Sequence, residues 1–367
     1  MALDSGSATF RMMELPRPFP DDWPARFAVL AAPPLDGLTE KEVRGWVTGR
    51  HLLDTRITED TALCGGWVHL QLRSAQKKVP AALLRAECRM EELVVQAAES
   101  RPFLKATERA DIRRTVNERL LPSMPPTLKS IPFLHRPTSR YLFTAATSES
   151  QMDAFAAFLA HTLSYNPVPS TPEALLASLR RTDHRDLAAD SFSPDMPTDA
   201  MEPALGREFL TWLWHSSDVS NGQLPLSGSR VVAVLLEGPL TFVHEGDGAF
   251  VTTLRNGLPQ LSLEAKSALL GGKKLKSAKL TLSLDEERIW SFTVDADTFT
   301  FRSMKVPRVE GEGALGRFED RMLRLEEFRE IWLDLYSQFL DLRLDAPAWR
   351  KTVRAIRSWV AARPANR

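Results

Sequence analysis

The sequence predicts an α+β fold in which mixed, mainly antiparallel sheets pack against long helices. Short runs that alternate between apolar and polar residues, separated by turn-forming residues, predict the strands. Longer segments that repeat apolar residues at helical spacing predict the helices. The chain contains no internal repeat.

The first half of the chain is predicted to combine strands with paired helices. We expect strands and helices in this order: strand 8–15, helix 20–31, helix 39–46, strand 66–73, helix 80–98, helix 107–121, strand 141–144 and helix 148–163. Thr39 to Glu42 resembles a capping box at the start of the second helix. The run Pro122 to Pro126 cannot continue a helix, so we expect a stiff loop there. Residues 73–140 therefore form a basic helical arm that ends in a proline-rich tip.

The second half is predicted to be rich in strands. We expect helix 205–214, strands 231–236, 240–244 and 250–254, helix 262–270, strands 279–284, 288–294 and 298–304, helix 315–340 and a final amphipathic helix through Trp349, Val353, Ile356 and Val360. A Gly246-Asp247-Gly248 turn indicates a hairpin. The expected organisation is an N-terminal half at 1–179, a linker at 180–204, a C-terminal half at 205–345 and a basic tail at 346–367.

Composition limits the classes of protein. The chain has 367 residues, of which 43% are apolar and 26% charged, as in ordinary globular proteins. The N-terminus lacks the features of a secretory signal and no apolar run could span a bilayer, so we expect a cytoplasmic protein without a membrane partner. Two cysteines, Cys64 and Cys88, and scattered histidines predict no disulfide framework, metal or cofactor.

Charge is balanced overall but unevenly distributed. The 47 basic and 47 acidic residues cancel. From Arg73 to Arg140, however, 14 Lys and Arg stand against 7 Asp and Glu, and from Glu310 to Asp345 the balance reverses to 5 against 10. One face can therefore be positive although the protein is neutral, and such a face attracts a polyanion.

The order of elements and several local motifs resemble the recombination-associated RdgC family. The matching segments are Lys78-Val79-Pro80, Leu104 to Arg109, Val116 to Pro122, Gly272-Lys273-Lys274 and Ala278 to Leu282, and the resemblance extends from about Ala8 to about Leu342. It implies a horseshoe monomer that pairs with a second copy into a ring around double-stranded DNA, without enzymatic activity. It further implies a nucleoid-associated protein that limits the action of the RecA recombinase.

Basic side chains of the arm and of the lysine-rich turn are the candidate DNA contacts. They are Lys77, Lys78, Arg101, Lys105, Arg109, Arg113, Arg114, Lys129, Arg136, Lys273, Lys274, Lys276 and Lys279. Such cations neutralise phosphates and release counterions without reading bases. The four lysines of the turn have no acid close to them in sequence, which favours an anion-binding surface.

Other interpretations remain open for the same residues. The arm arginines could form a solvated helix face paired with Glu108, Asp111 and Glu118. The family carries an arginine and an aromatic residue after Leu121-Pro122, where this chain has Ser123 to Pro126, so the chain could be a protein-interaction relative that lost the DNA gate.

An enzyme is a further alternative. Asp247 with Glu264 and Lys266 has the residue types of a metal-dependent nuclease. Gly271-Gly272-Lys273 does not fit a phosphate loop, because no Ser or Thr follows the lysine.

Overall fold

A computed structural model describes residues 3–193, 203–244, 250–256 and 262–362. In these ranges the chain forms ten α-helices and thirteen strands, which confirms the α+β class. The helices are α1 Trp23–Val29, α2 Glu59–Ala62, α3 Ala81–Ala98, α4 Ala106–Leu120, α5 Glu149–Leu163, α6 Pro172–Arg180, α7 Leu205–Val219, α8 Leu263–Leu270, α9 Gly313–Leu344 and α10 Ala346–Ala361. The strands are β1 Ala8–Glu14, β2 Val43–Thr48, β3 Leu63–Cys64, β4 Trp67–Lys77, β5 Pro126–His135, β6 Tyr141–Thr144, β7 Val168–Pro169, β8 Gln223–Pro225, β9 Val231–His244, β10 Val251–Leu254, β11 Lys273–Ser283, β12 Ile289–Asp295 and β13 Thr300–Lys305.

The predicted helix at 39–46 is wrong, because this segment leads into strand β2. Thr39 does not cap a helix: its hydroxyl accepts a local hydrogen bond from the backbone N–H of Lys41. β2 pairs antiparallel with β4, from Val43 opposite Ala75 to Thr48 opposite Leu70. Gly45 allows a close approach, since a Cβ there would lie 2.3 Å from the Cα of Ala32.

Other boundaries also differ from the predictions. The expected loop at Pro122 to Pro126 begins as a short 3-10 turn, Leu121–Ser123, and it ends where the unpredicted strand β5 begins at Pro126. The two strands predicted at 231–236 and 240–244 are one strand, β9, whose register with β11 skips Gly238 and Pro239. β11 begins at Lys273 rather than at Lys279. The predicted Gly246-Asp247-Gly248 turn lies outside the described residues.

The chain divides into two units. Unit 1 comprises Met1–Phe19, Cys64–Val68 and Phe133–Arg367, and unit 2 comprises Pro20–Leu63 and His69–Pro132. Unit 1 therefore draws on both of the predicted halves. The predicted linker at 180–204 stays a prediction, and part of it lies outside the described residues.

Unit 1 contains an antiparallel sheet with strand order β10-β9-β11-β12-β13-β1-β6. Its core is aromatic: the ring of Phe301 lies 5.0 Å from those of Phe328 and Trp332 on the long helix α9. Phe209 and Trp214 of α7 are buried in this core. Helix α10 follows α9 and buries the four predicted positions Trp349, Val353, Ile356 and Val360.

His135 of unit 1 is a buried neutral imidazole. Its ring is fully buried, Nδ1 lies 3.0 Å from the carbonyl oxygen of Tyr141, and the ring centroid lies 4.0 Å from that of Phe19. A carbonyl only accepts, so Nδ1 carries the proton. Burial lowers the pKa of His135 to about 4, although the hydrogen bond to Tyr141 acts in the opposite direction.

This histidine predicts a loss of stability in mild acid. The unfolded chain binds the proton near pH 6.5 and the folded chain near pH 4, so stability is complete above pH 6.5 and falls as the pH drops between these values. We expect His135 to lower the free energy of unfolding by about 2 kcal/mol between pH 7 and pH 4.5. Urea unfolding at pH 4.5 and pH 7 would measure it, and His135→Gln should show the smaller pH dependence. An equal dependence in both proteins would contradict the assignment.

Candidate nucleic-acid interface

Helices α3 and α4 of unit 2 pack against each other along a small apolar seam. The seam buries Val79, Leu84 and Val116, and Cys88, Ile112, Leu120, Leu121 and Met124 pack around them. Arg119 near the end of α4 reaches Glu87 and Glu91 in the first part of α3, so the helices run antiparallel. Leu84 and Cys88 of α3 and Ile112, Val116 and Leu120 of α4 recur at a spacing of four residues, which brings them to the seam, whereas Met90, Leu93 and Val94 of α3 stay exposed.

The two flanks of this helix pair differ in charge. On one flank Arg119 lies 3.0 Å from Glu87 and 2.8 Å from Glu91, so the acids outnumber the base in this group of three. The other flank contains a cavity of about 510 Å³ with cationic walls. We call it the arginine groove, after Arg85, Arg89, Arg109 and Arg113.

Two arginines of the arm are solvent-accessible and paired with carboxylates, as the alternative interpretation of the arm predicted. Arg101 pairs with Glu99 and, at 2.9 Å, with Glu108, and Arg114 lies 2.9 Å from Asp111. The Lys105 backbone N–H and the guanidinium of Arg101 both donate to Glu108 and lower the pKa of its carboxyl group. These exposed pairs are weak, so a phosphate can compete for the arginines.

Other candidate cations are exposed and have no ion pair in the described part of the chain. In unit 2 these are Lys78, Lys105, Arg109, Arg113 and Lys129, and in unit 1 Arg136. Lys77 differs, because its ammonium donates to the carbonyl oxygen of Pro122 at 2.7 Å and so ties β4 to the end of the arm.

The expectation that the lysine-rich segment of unit 1 has no acid close to it needs correction. It lies in strand β11, and the fold brings acids from other elements to it: Lys276 lies 3.3 Å from Asp297, and Lys279 pairs with Glu237. Lys273 donates to the hydroxyl of Thr252.

Lys274 is the clearest case. It is 1% exposed, and its Nζ lies 3.4 Å from the fully buried carboxylate of Glu208. The same carboxylate accepts a hydrogen bond from Nε of Arg343. A side chain in this position cannot reach DNA, so Lys274 is wrong as a candidate contact. No residue close to Lys274 in sequence indicates this burial, because Glu208 is distant along the chain.

The residues of the nuclease alternative are not brought into a site that the structure describes. Asp247 lies outside the described residues. Lys266 donates to the carbonyl oxygens of Trp359 and Ala362, at 3.0 and 3.3 Å, and so attaches helix α10. Within the described ranges no group of three or more His, Cys, Asp or Glu side chains could hold a metal ion. None of the helices in those ranges has both the length and the apolar character of a membrane span.

Sequence reasoning missed Arg85 and Arg89. Both lie on α3, four residues apart, so they share a face next to Cys88. Placing every arginine of the predicted helix 80–98 on its helical face would have found them.

The comparison with known families agrees with the resemblance seen in the sequence. A family model described as "Putative exonuclease, RdgC" matches residues 31–178. That range contains α3, α4, β5 and every candidate cation of the arm. The matched segment of the chain is therefore similar to the RdgC family. No curated protein matches the chain.

Proposed function

We propose that this chain is a DNA-associated protein of homologous recombination that binds duplex DNA without sequence preference. The observation that carries the proposal is the match to the RdgC family over a segment whose helical arm presents exposed cations. Lys105, Arg109 and Arg113 contribute most to the argument, because their side chains form no ion pair within the described residues.

The chemistry of these side chains favours the backbone over the bases. Lysine and arginine neutralise phosphates and release condensed counterions, which gives affinity that does not depend on sequence. Base reading requires side chains that enter a groove with a defined pattern of donors and acceptors. Exposed cations along a helix can neutralise phosphates, but they do not provide such a pattern.

The proposal includes the finer features that the resemblance implies. Two copies pair into a closed ring around the duplex, and the complex limits access of the RecA recombinase to DNA in the nucleoid. Two-fold pairing is the common arrangement of homo-oligomers. The tip of the arm, with Ser123 to Pro126 in place of an arginine and an aromatic residue, is where this chain departs from the family.

A titration at several salt concentrations tests the proposal. Two duplexes of equal length and unrelated sequence should bind equally well, as measured by fluorescence anisotropy. If about six phosphates are neutralised, affinity should fall by roughly 10³-fold between 50 and 200 mM salt. Affinity that is independent of salt, or that differs strongly between the two duplexes, would contradict the proposal. No binding at either concentration would favour the protein-interaction alternative.

The description of the family also names an exonuclease, which is a second candidate function. The same labelled duplexes, incubated with the protein and Mg²⁺, distinguish the two functions. Under our proposal the DNA is recovered at full length, and progressive shortening from the ends would establish the exonuclease instead.

A further inference from the structure

We propose that the arginine groove between α3 and α4 holds a phosphodiester group of duplex DNA. This inference rests on the proposed function and identifies a part of unit 2 that grips the backbone. It adds Arg85 and Arg89 to the candidate contacts and places Arg109 and Arg113 in one site with them.

Four arginines, one glutamate and four small or apolar side chains line the groove. Arg85 and Arg89 lie one turn apart on α3, and Arg109 and Arg113 lie one turn apart on α4. At this spacing neighbouring side chains on a helix are about 5–6 Å apart at Cβ. The uncharged lining residues are Ala81, Leu84, Cys88 and Ala110. Glu92 is the one carboxylate among the lining residues, and the volume of about 510 Å³ leaves room for a tetrahedral anion.

The arginines are available to a ligand. Arg109 and Arg113 form no ion pair with any residue that the structure describes. Arg85 donates its Nε to the Ala81 carbonyl oxygen at 3.2 Å, which positions its terminal nitrogens without neutralising them. Arg89 lies 3.2 Å from Glu92, and its side chain is 58% exposed. An exposed pair of this kind is weak and can exchange its partner.

The chemistry of the groove selects phosphate. The planar guanidinium fork donates two parallel hydrogen bonds to a phosphate, and arginine is favoured over lysine where such recognition matters. The groove is lined by four arginines and by one glutamate, so its lining carries a net positive charge. On the opposite flank of the same helices Glu87 and Glu91 neutralise Arg119, so the attraction for an anion is concentrated on the groove side.

The double variant Arg85→Gln/Arg89→Gln tests the site against a matched control. The control, Arg26→Gln/Arg119→Gln, also removes two positive charges from unit 2. In the control, however, these charges are paired, Arg26 with Asp22 and Arg119 with Glu87 and Glu91. The groove variant should reduce the log–log salt slope of duplex binding by about 2 and affinity at 100 mM salt by about 50-fold. The control should keep both values, and circular dichroism should show that both variants fold.

Cys88 offers a second measurement that needs no substitution. It lies in the groove, whereas Cys64 belongs to unit 1. Duplex DNA should slow alkylation of Cys88 by N-ethylmaleimide and leave Cys64 unchanged, as followed by peptide mass spectrometry. Inorganic phosphate at the same phosphate concentration should protect neither.

The outcomes separate this inference from the proposed function. If the wild-type protein does not bind duplex DNA, the proposed function fails. If it binds with a steep salt slope that the groove variant retains, the groove is not a contact and only this inference fails. If inorganic phosphate protects Cys88 as well as DNA does, the groove is a site for a free anion and the assignment to DNA is overturned.

Discussion

Replacing Lys105, Arg109, Arg113 and Arg114 together by glutamate is expected to lower the affinity for duplex DNA by at least about 10³-fold. Three of the four side chains have no ion pair among the described residues, so each can neutralise a phosphate, and its glutamate would repel one. The contribution of Arg114 should be smaller, because it already pairs with Asp111 at 2.9 Å. Fluorescence anisotropy near 100 mM salt would measure the loss.

All four positions are exposed on or next to α4, away from the buried Val116, so the variant should fold. Urea unfolding would confirm this. The control reverses four exposed cations of unit 1, namely Arg185, Arg350, Lys351 and Arg354. It should bind within about tenfold of wild type, since long-range fields between exposed charges are largely screened at this salt concentration.

Equal losses in the two variants would mean that total charge controls binding rather than the arm. That result would contradict the proposal. It would also give a role to the basic tail, whose helix α10 presents Arg350, Lys351 and Arg354 to solvent.

The elements of the arm could be predicted from sequence because they depend on local patterns. Helices α3 and α4 lie within one or two residues of their predicted bounds, as does β6. Segment 39–46 was harder, because a capping-like run precedes it, and only pairing with β4 decides that Val43 to Thr48 form a strand. Context of this kind commonly overrides local propensity.

In the candidate site, too, features that depend on local sequence could be predicted, and features that depend on contacts between distant elements could not. Exposure of Arg109 and Arg113 follows from their positions on the predicted helix 107–121, which the sequence contains. Burial of Lys274 does not, because its partner Glu208 comes from helix α7, and Lys274 is buried beside the buried Leu275 where β11 departs from simple alternation. Charge pairing across elements is a property of the fold, so counting acids near a lysine in sequence underestimated its partners.

Removing the Glu208 carboxylate is expected to lower the free energy of unfolding by about 3–5 kcal/mol in Glu208→Ala. The carboxylate is fully buried and lies 2.8 Å from Nε of Arg343 and 3.4 Å from Nζ of Lys274. Both cations are almost fully buried as well, so the substitution removes from inside unit 1 a carboxylate that both of them share, and only Arg343 has a second described carboxylate, Asp190 at 3.8 Å. Urea unfolding at pH 7 would measure the effect.

A surface pair provides the control for this prediction. Arg26→Gln breaks an exposed pair with Asp22 and should change the free energy of unfolding by less than about 1 kcal/mol. Replacing Glu208, Lys274 and Arg343 together by methionine should recover part of the loss, because well-packed apolar residues can substitute for a buried ionic cluster. A loss below about 1 kcal/mol in Glu208→Ala would mean that water reaches Lys274. In that case the reason for excluding this lysine from the DNA contacts would no longer hold.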